Sequence, residues 1–179
     1  MNRLRGLRCY LAGPIDHAED DGVGWRNQAK LWLEQRGVTP MDPCDKPTDD
    51  VEHREVGAEK KKLMELKNNR EFDELTRRMK AIAHIDLRML DRSDFVICYI
   101  DMDAKPFGTI WELQQSLKQK KPTLVFVKEG KQNSSLWLYG VMNHNYMFDS
   151  MGELFYYLNG IDKGSEDADL SRWVFFDDL

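Results

Sequence analysis

Two short apolar runs joined through an amphipathic stretch constrain this chain more than any other feature. Phe95 to Ile100 is six residues long, continuous, and rich in aromatic and β-branched side chains, the pattern of a strand buried on both faces. Thr123 to Val127 repeats the pattern, and between the two runs Ile110, Leu113 and Leu117 recur at helical spacing, so a helix is predicted over Thr109 to Gln119. Strand, helix, strand with short links is a βαβ unit, and such a unit demands a parallel sheet covered on both sides.

The rest of the chain extends that unit. Leu7 to Ala12 predicts a first strand that stops at the turn Gly13-Pro14. Trp25, Ala29, Trp32 and Leu33 place a helix over Gly24 to Arg36, with Gly37 as its stop, and Val38 to Met41 fits a short second strand before Pro43 and Pro47. Residues 48–69 are charged with weak periodicity and read as a loop or a solvated helix. From Asn69 onward Phe72, Leu75, Met79, Ile82, Met89 and Leu90 share one stripe at about 100° per residue. Met151, Leu154, Phe155 and Leu158 mark a last helix that ends at Gly160. The expected fold is therefore α/β: a doubly wound, flavodoxin- or Rossmann-like parallel sheet of about five strands flanked by helices. Residues 1–160 form that domain, and residues 161–179 a polar linker with the aromatic tail Trp173-Val174-Phe175-Phe176. In such sheets ligands sit beyond the C-terminal ends of the strands, which points to Gly13 to Asp16, Asp101 to Gly108 and Gly140 to Asn145 as one rim.

Composition narrows the function. With 179 residues there is room for one core. Thirty-one acids against 26 bases leave a net charge of −5, unsuited to a charge-driven grip on a nucleic-acid polymer or an anionic membrane. No apolar run approaches the roughly 18–20 residues of a membrane span, and no apolar signal core follows the basic start, so a cytoplasmic address is expected. Cys9, Cys44 and Cys98 read as buried thiols, and His17, His53, His84 and His144 lack metal-ligand spacing. The phosphate fingerprints of dinucleotide and triphosphate sites are absent. The loop after the first strand instead carries Asp16, Glu19, Asp20 and Asp21, which would repel a polyphosphate.

Two acids stand out. Asp86 interrupts the apolar stripe of its helix; it is either paired with a nearby Arg or capping a backbone amide, or aimed into a pocket where burial raises its pKa. Glu112 either closes a capping box with Thr109, or lies ionised beside a ligand that Gly108 lets approach the backbone. Asp101 and Asp103 end the strand that Asp94 opens, and face the expected rim.

Together these residues resemble the nucleoside 2-deoxyribosyltransferase family. The resemblance rests on Tyr10-Leu11-Ala12-Gly13-Pro14, on Asp86 and Asp94 leading into the strand from Phe95, on Gly108-Thr109-Ile110-Trp111-Glu112-Leu113, and on Lys121-Pro122. It implies chemistry at the N-glycosidic bond of a 2′-deoxynucleoside: Glu112 as the nucleophile that forms a deoxyribosyl ester, Tyr10 beside it, and Asp86 against the base. The family's second base-side aspartate falls at Pro106, so Asp103, or Asp101, is expected to take over. Gly13, Pro14, Asp16 and Gly108 are expected to contact substrate. Asn143 or Asn145 is expected to contact the sugar from a neighbouring subunit, which implies a homo-oligomer with a shared site. The implied partners are a small deoxynucleoside and a free nucleobase, with no cofactor and no metal. A deoxynucleoside 5′-monophosphate N-glycosidase, with Arg26 and Arg88 as phosphate donors, and a non-catalytic nucleotide-binding module are the alternatives.

Overall fold

A computed structural model describes residues 2–18, 20–48, 50–165 and 168–176, so Glu19 of the acidic loop and parts of the linker and tail lie outside the described residues. Five parallel strands form one sheet: β1 (Arg8–Ala12), β2 (Thr39–Met41), β3 (Phe95–Ile100), β4 (Thr123–Val127) and β5 (Met147–Phe148), in the order β2-β1-β3-β4-β5. This is the flavodoxin-like order, in which the chain reverses its direction of travel between β1 and β3.

Strand alternation sorts the core into two layers. Cys9, Leu11, Phe95, Ile97, Leu124 and Phe126 face one side, under α1 (Val23–Glu34) and α6 (Met151–Lys163). Tyr10, Ala12, Val96, Cys98, Val125 and Val127 face the other. That second side is covered by α3 (Phe72–Arg92), α4 (Phe107–Lys118) and α5 (Leu136–Val141). Both faces are thus apolar, as the continuous runs in β3 and β4 require. Cys9 and Cys98 are buried free thiols and Cys44 is half-buried. Among the described residues no helix is long and apolar enough to cross a membrane.

Residues 48–69, expected as a loop or a solvated helix, contain a 3-10 turn, Val51–His53, and the solvated helix α2 (Gly57–Asn68), which packs on α3 through Arg78 and Glu59, 2.8 Å apart. Two elements differ from expectation. Helix α4 starts at Phe107, so Thr109 lies inside the helix, buried, and is not its cap. Gly140 to Asn145 precede β5 and share a cavity with Thr123, the first residue of β4, so they occupy the N-terminal rim of the sheet and not the C-terminal one.

The tail docks on its own domain. Trp173 is fully buried, 5.2 Å from Phe95 and stacked on Phe176, and its Nε1 donates to Tyr157 Oη at 2.9 Å. Trp173→Ala is expected to lower the unfolding free energy by about 3–5 kcal/mol, read from urea titration.

Candidate active site

The end of β1 is built around Arg26, whose guanidinium has no exposed surface. Its Nη2 donates to Gly13 O at 2.6 Å and its Nη1 to Gly22 O at 2.9 Å, while Nε lies 3.4 Å from Leu11 O and 3.5 Å from Asp42. A Cβ on Gly13 would sit 2.5 Å from the Trp25 ring, and Gly22 holds φ 69° with Pro14 O against its Cα face; both positions therefore need glycine. Arg26 shapes the loop and is not part of the cavity wall. Arg88 is exposed and does not line the site.

Beyond β1 and β3, where the chain reverses, lies a cavity of about 420 Å³, the size of a small-ligand site. Gly13, Pro14 and Asp16 form one wall, Ala104 to Thr109 a second, and Ile82, Asp86 and Leu87 of α3 a third. Tyr10, buried in the sheet, donates its hydroxyl to Glu112 Oε1 at 2.5 Å. Glu112 therefore bonds across the site, and the capping-box reading does not hold. Withdrawal from water pushes its carboxyl up to about 7, against the lowering effect of the Tyr10 bond. Its partner Tyr10 is raised well above the usual phenol range, first by burial and then by the Glu112 charge.

Asp86 meets both of its readings at once, with a lysine in place of the expected arginine. Spacing from Ile82 to Met89 and Leu90 turns it inward with the buried stripe, where Lys46 Nζ lies 2.9 Å from Oδ1 and 3.1 Å from Oδ2. It also lines the cavity. Burial, reinforced by the charge of Glu55, raises its carboxyl to about 8, with Lys46 opposing. Two carboxyls with raised pKa values facing one cavity mark an acid–base site.

Tyr10 (through Glu112), Gly13, Pro14, Asp16, Asp86, Gly108 and Glu112 are thus brought together. Asp103 is not: its carboxylate is exposed and pairs with Lys128, which also holds Asp101 at 3.2 Å. Asn143 and Asn145 are exposed on the opposite rim, out of reach of Glu112 in the same chain. Lys46 and Glu55 belong to the site and carry no sequence signal, since one sits in a proline-rich turn and the other in a charged segment typical of solvent.

A doubly wound domain with paired carboxyls at its switch point defines a class of small-ligand α/β enzymes. The chain belongs to the nucleoside 2-deoxyribosyltransferase family, whose sequence profile matches residues 9–156. That family works on small nucleosides and nucleobases, at the glycosidic bond between sugar and base. The fold is similar to that of a 2-deoxyribosyltransferase from Bacillus psychrosaccharolyticus, 19% identical, with a TM-score of 0.54 over 83% of this chain and 90% of that one. A 2-deoxyribosyltransferase from Leishmania mexicana (19% identical, 84% and 95% covered, TM-score 0.48) and a CMP N-glycosidase from Clostridium botulinum (17%, 85% and 97%, 0.48) are also similar. No curated protein sequence matches the chain.

The folded state holds a proton on Asp86 that the unfolded chain releases near pH 4. Its contribution to stability is full below about pH 4 and lost as the pH rises through about 8. The stability of Asp86→Asn relative to the unsubstituted protein is therefore expected to rise between pH 5 and 9, measured as urea midpoints; a pH-independent difference would contradict the assignment.

Proposed function

We propose that the protein transfers a 2-deoxyribosyl group between nucleobases through a covalent ester on Glu112. The observation that carries this reading is the 2.5 Å contact between Tyr10 and Glu112 at the base of the cavity, with Asp86 on the facing wall. A Glu112 oxygen attacks C1′ as the C1′–N bond breaks, and Asp86 delivers the proton that the departing base takes up. A second base then attacks C1′ through a ring nitrogen, gives that nitrogen's proton to the Asp86 carboxylate and releases the Glu112 carboxylate, so configuration is retained over two displacements. Tyr10 holds the nucleophile in line and stabilises its charge. Asp16, beside Gly13 and Pro14 at the mouth, is placed to accept from sugar hydroxyls. Asp103 keeps no part in this scheme.

The cavity argues against the 5′-monophosphate reading. Four acids, Asp16, Glu55, Asp86 and Glu112, line it against Lys105 and His17, and neither Arg26 nor Arg88 is part of its wall. An uncharged nucleoside meets less repulsion than a phosphate dianion would.

Completion of the site by a second copy of the chain is part of the proposal. Phe107 and Trp111 line the cavity and also a neighbouring apolar groove with Ile110, Trp137 and Val141. Phe107 is 85% and Trp137 79% exposed, an apolar face continuous with the site. A partner seated there is the route by which its Asn143 or Asn145 would reach the sugar.

Chromatography of deoxynucleosides and their monophosphates, each with and without a second free base, is expected to show base exchange from the nucleosides. Release without exchange, or release from monophosphates alone, would replace this reading by the hydrolase. Binding without any turnover would replace it by the non-catalytic module. Glu112→Gln is expected to lose on the order of 10³-fold or more in rate. Intact mass after exposure to a 2-fluoro-2-deoxynucleoside is expected to show one added sugar. The rate should peak between apparent pKa values near 7 and 8, because Glu112 must be ionised and Asp86 protonated; both limbs belong to the interacting pair. Light scattering is expected to give a multiple of the monomer mass, and Trp137→Glu to yield monomers with reduced turnover.

A further inference from the structure

The side chain of Lys46 is wholly buried, and an ammonium has three N–H donors. All three are used: His53 O at 3.2 Å, Glu55 Oε1 at 3.2 Å and Asp86 Oδ2 at 3.1 Å. The one cation beside the inner cavity wall therefore has no hydrogen left for a ligand. Asp86 Oδ1, close to Lys46 in charge contact, makes no hydrogen bond, and Glu55 Oε2 accepts none among the described residues.

Glu55 is held in place. It lies between the turn Val51–His53 and α2, a connection pinned at one end by the bond from Lys46 to His53 O. At the other end Gly57 N donates to Asp21 Oδ2 at 3.1 Å, and Lys60 bridges Asp21 and Ile15 O at 2.6 and 2.8 Å. The Glu55 side chain is 12% exposed and lines the cavity. A carboxylate oxygen that opens onto the cavity, beside a lysine whose hydrogens are all taken, is left free to accept from a ligand's donor.

We infer that Glu55 is a base-reading residue, and that with Asp86 it selects nucleobases bearing an exocyclic amino group beside a bare ring nitrogen, as in adenine and cytosine. This rests on the proposed reaction at the same site. Glu55 accepts from the amino group, and the Asp86 carboxyl, which lines the cavity beside it, donates to the ring nitrogen. An oxo group in the amino position, as in hypoxanthine, thymine or uracil, would set one acceptor against another. The charged groups around the pair are Lys46 and Glu112, and the raised pKa of Asp86 agrees with its role as donor. The segment 48–69 thereby acquires a purpose: it carries an acid to the cavity wall.

The test compares kcat/KM for deoxyadenosine and deoxycytidine with deoxyinosine, thymidine and deoxyuridine. The unsubstituted protein is expected to favour the amino bases by roughly 10- to 100-fold, the usual effect of an unpaired buried polar group. Glu55→Gln, which can present an amide N–H to an oxo group, is expected to collapse that ratio at least about tenfold, chiefly through KM. Glu55→Asp keeps the acceptors and should retain the preference with weaker binding. Calorimetry of free adenine and hypoxanthine on the Glu112→Gln protein reads the same selectivity without turnover. Turnover with no amino preference, or an equal loss on every base in Glu55→Gln, would overturn the inference and leave the reaction standing. Selective binding without turnover would sustain it and overturn the reaction.

Discussion

A buried guanidinium organises this molecule. Arg26 joins the end of β1, the start of α1 and the end of β2 by donating to Leu11, Gly13 and Gly22 and pairing with Asp42. Charge buried this fully is tolerated only because nearly every N–H has an acceptor, and removing a partner would cost about 3–5 kcal/mol. Its return is geometric. The Gly13-Pro14 loop is held close to the protein interior, which leaves the space above β1 and β3 open. Tyr10 then meets Glu112 from below, and the cavity walls follow from where that loop and α4 are forced to end.

The electrostatics of the cavity oppose stability and favour chemistry. Glu55, Asp86 and Glu112 crowd one volume, with Lys46 buried between Glu55 and Asp86. Both Asp86 and Glu112 are pushed toward neutral pH, first by burial and then by the charge of Glu55. A packed apolar wall would be more stable, and the retention of these acids is a mark of a site shaped for proton transfer. The same crowding repels a polyphosphate more than an uncharged ligand.

Much of the architecture was legible in the chain itself. The runs Phe95–Ile100 and Thr123–Val127 can only be strands covered on both faces, and the helix between them forces a parallel sheet. Asp86 announced itself by breaking an apolar stripe, and Glu112 by following Gly108 at a strand-to-helix turn. The limits of that reading have physical causes. Thr109 and Glu112 spell a capping box, but the helix begins two residues earlier, and tertiary contact with Tyr10 outweighs the local bond. Asp103 shares a loop with the site, yet Lys128 draws it to solvent. Asn143 and Asn145 lie at the rim where β5 begins, a placement set by the path of α5 across the sheet.

Lys46 and Glu55 show where sequence stops. A lysine between prolines and a glutamate in a charged segment look like any solvated residue, because side-chain burial depends on what the rest of the chain places over them. The sequence by itself determined the parallel sheet, its two apolar faces, and the two acids that break the pattern, since periodicity and composition are local properties. Tertiary structure alone decided which acids meet, which cation they share, and which stay in water. Those outcomes depend on distances between segments 40 to 100 residues apart, set only when the sheet closes around its switch point.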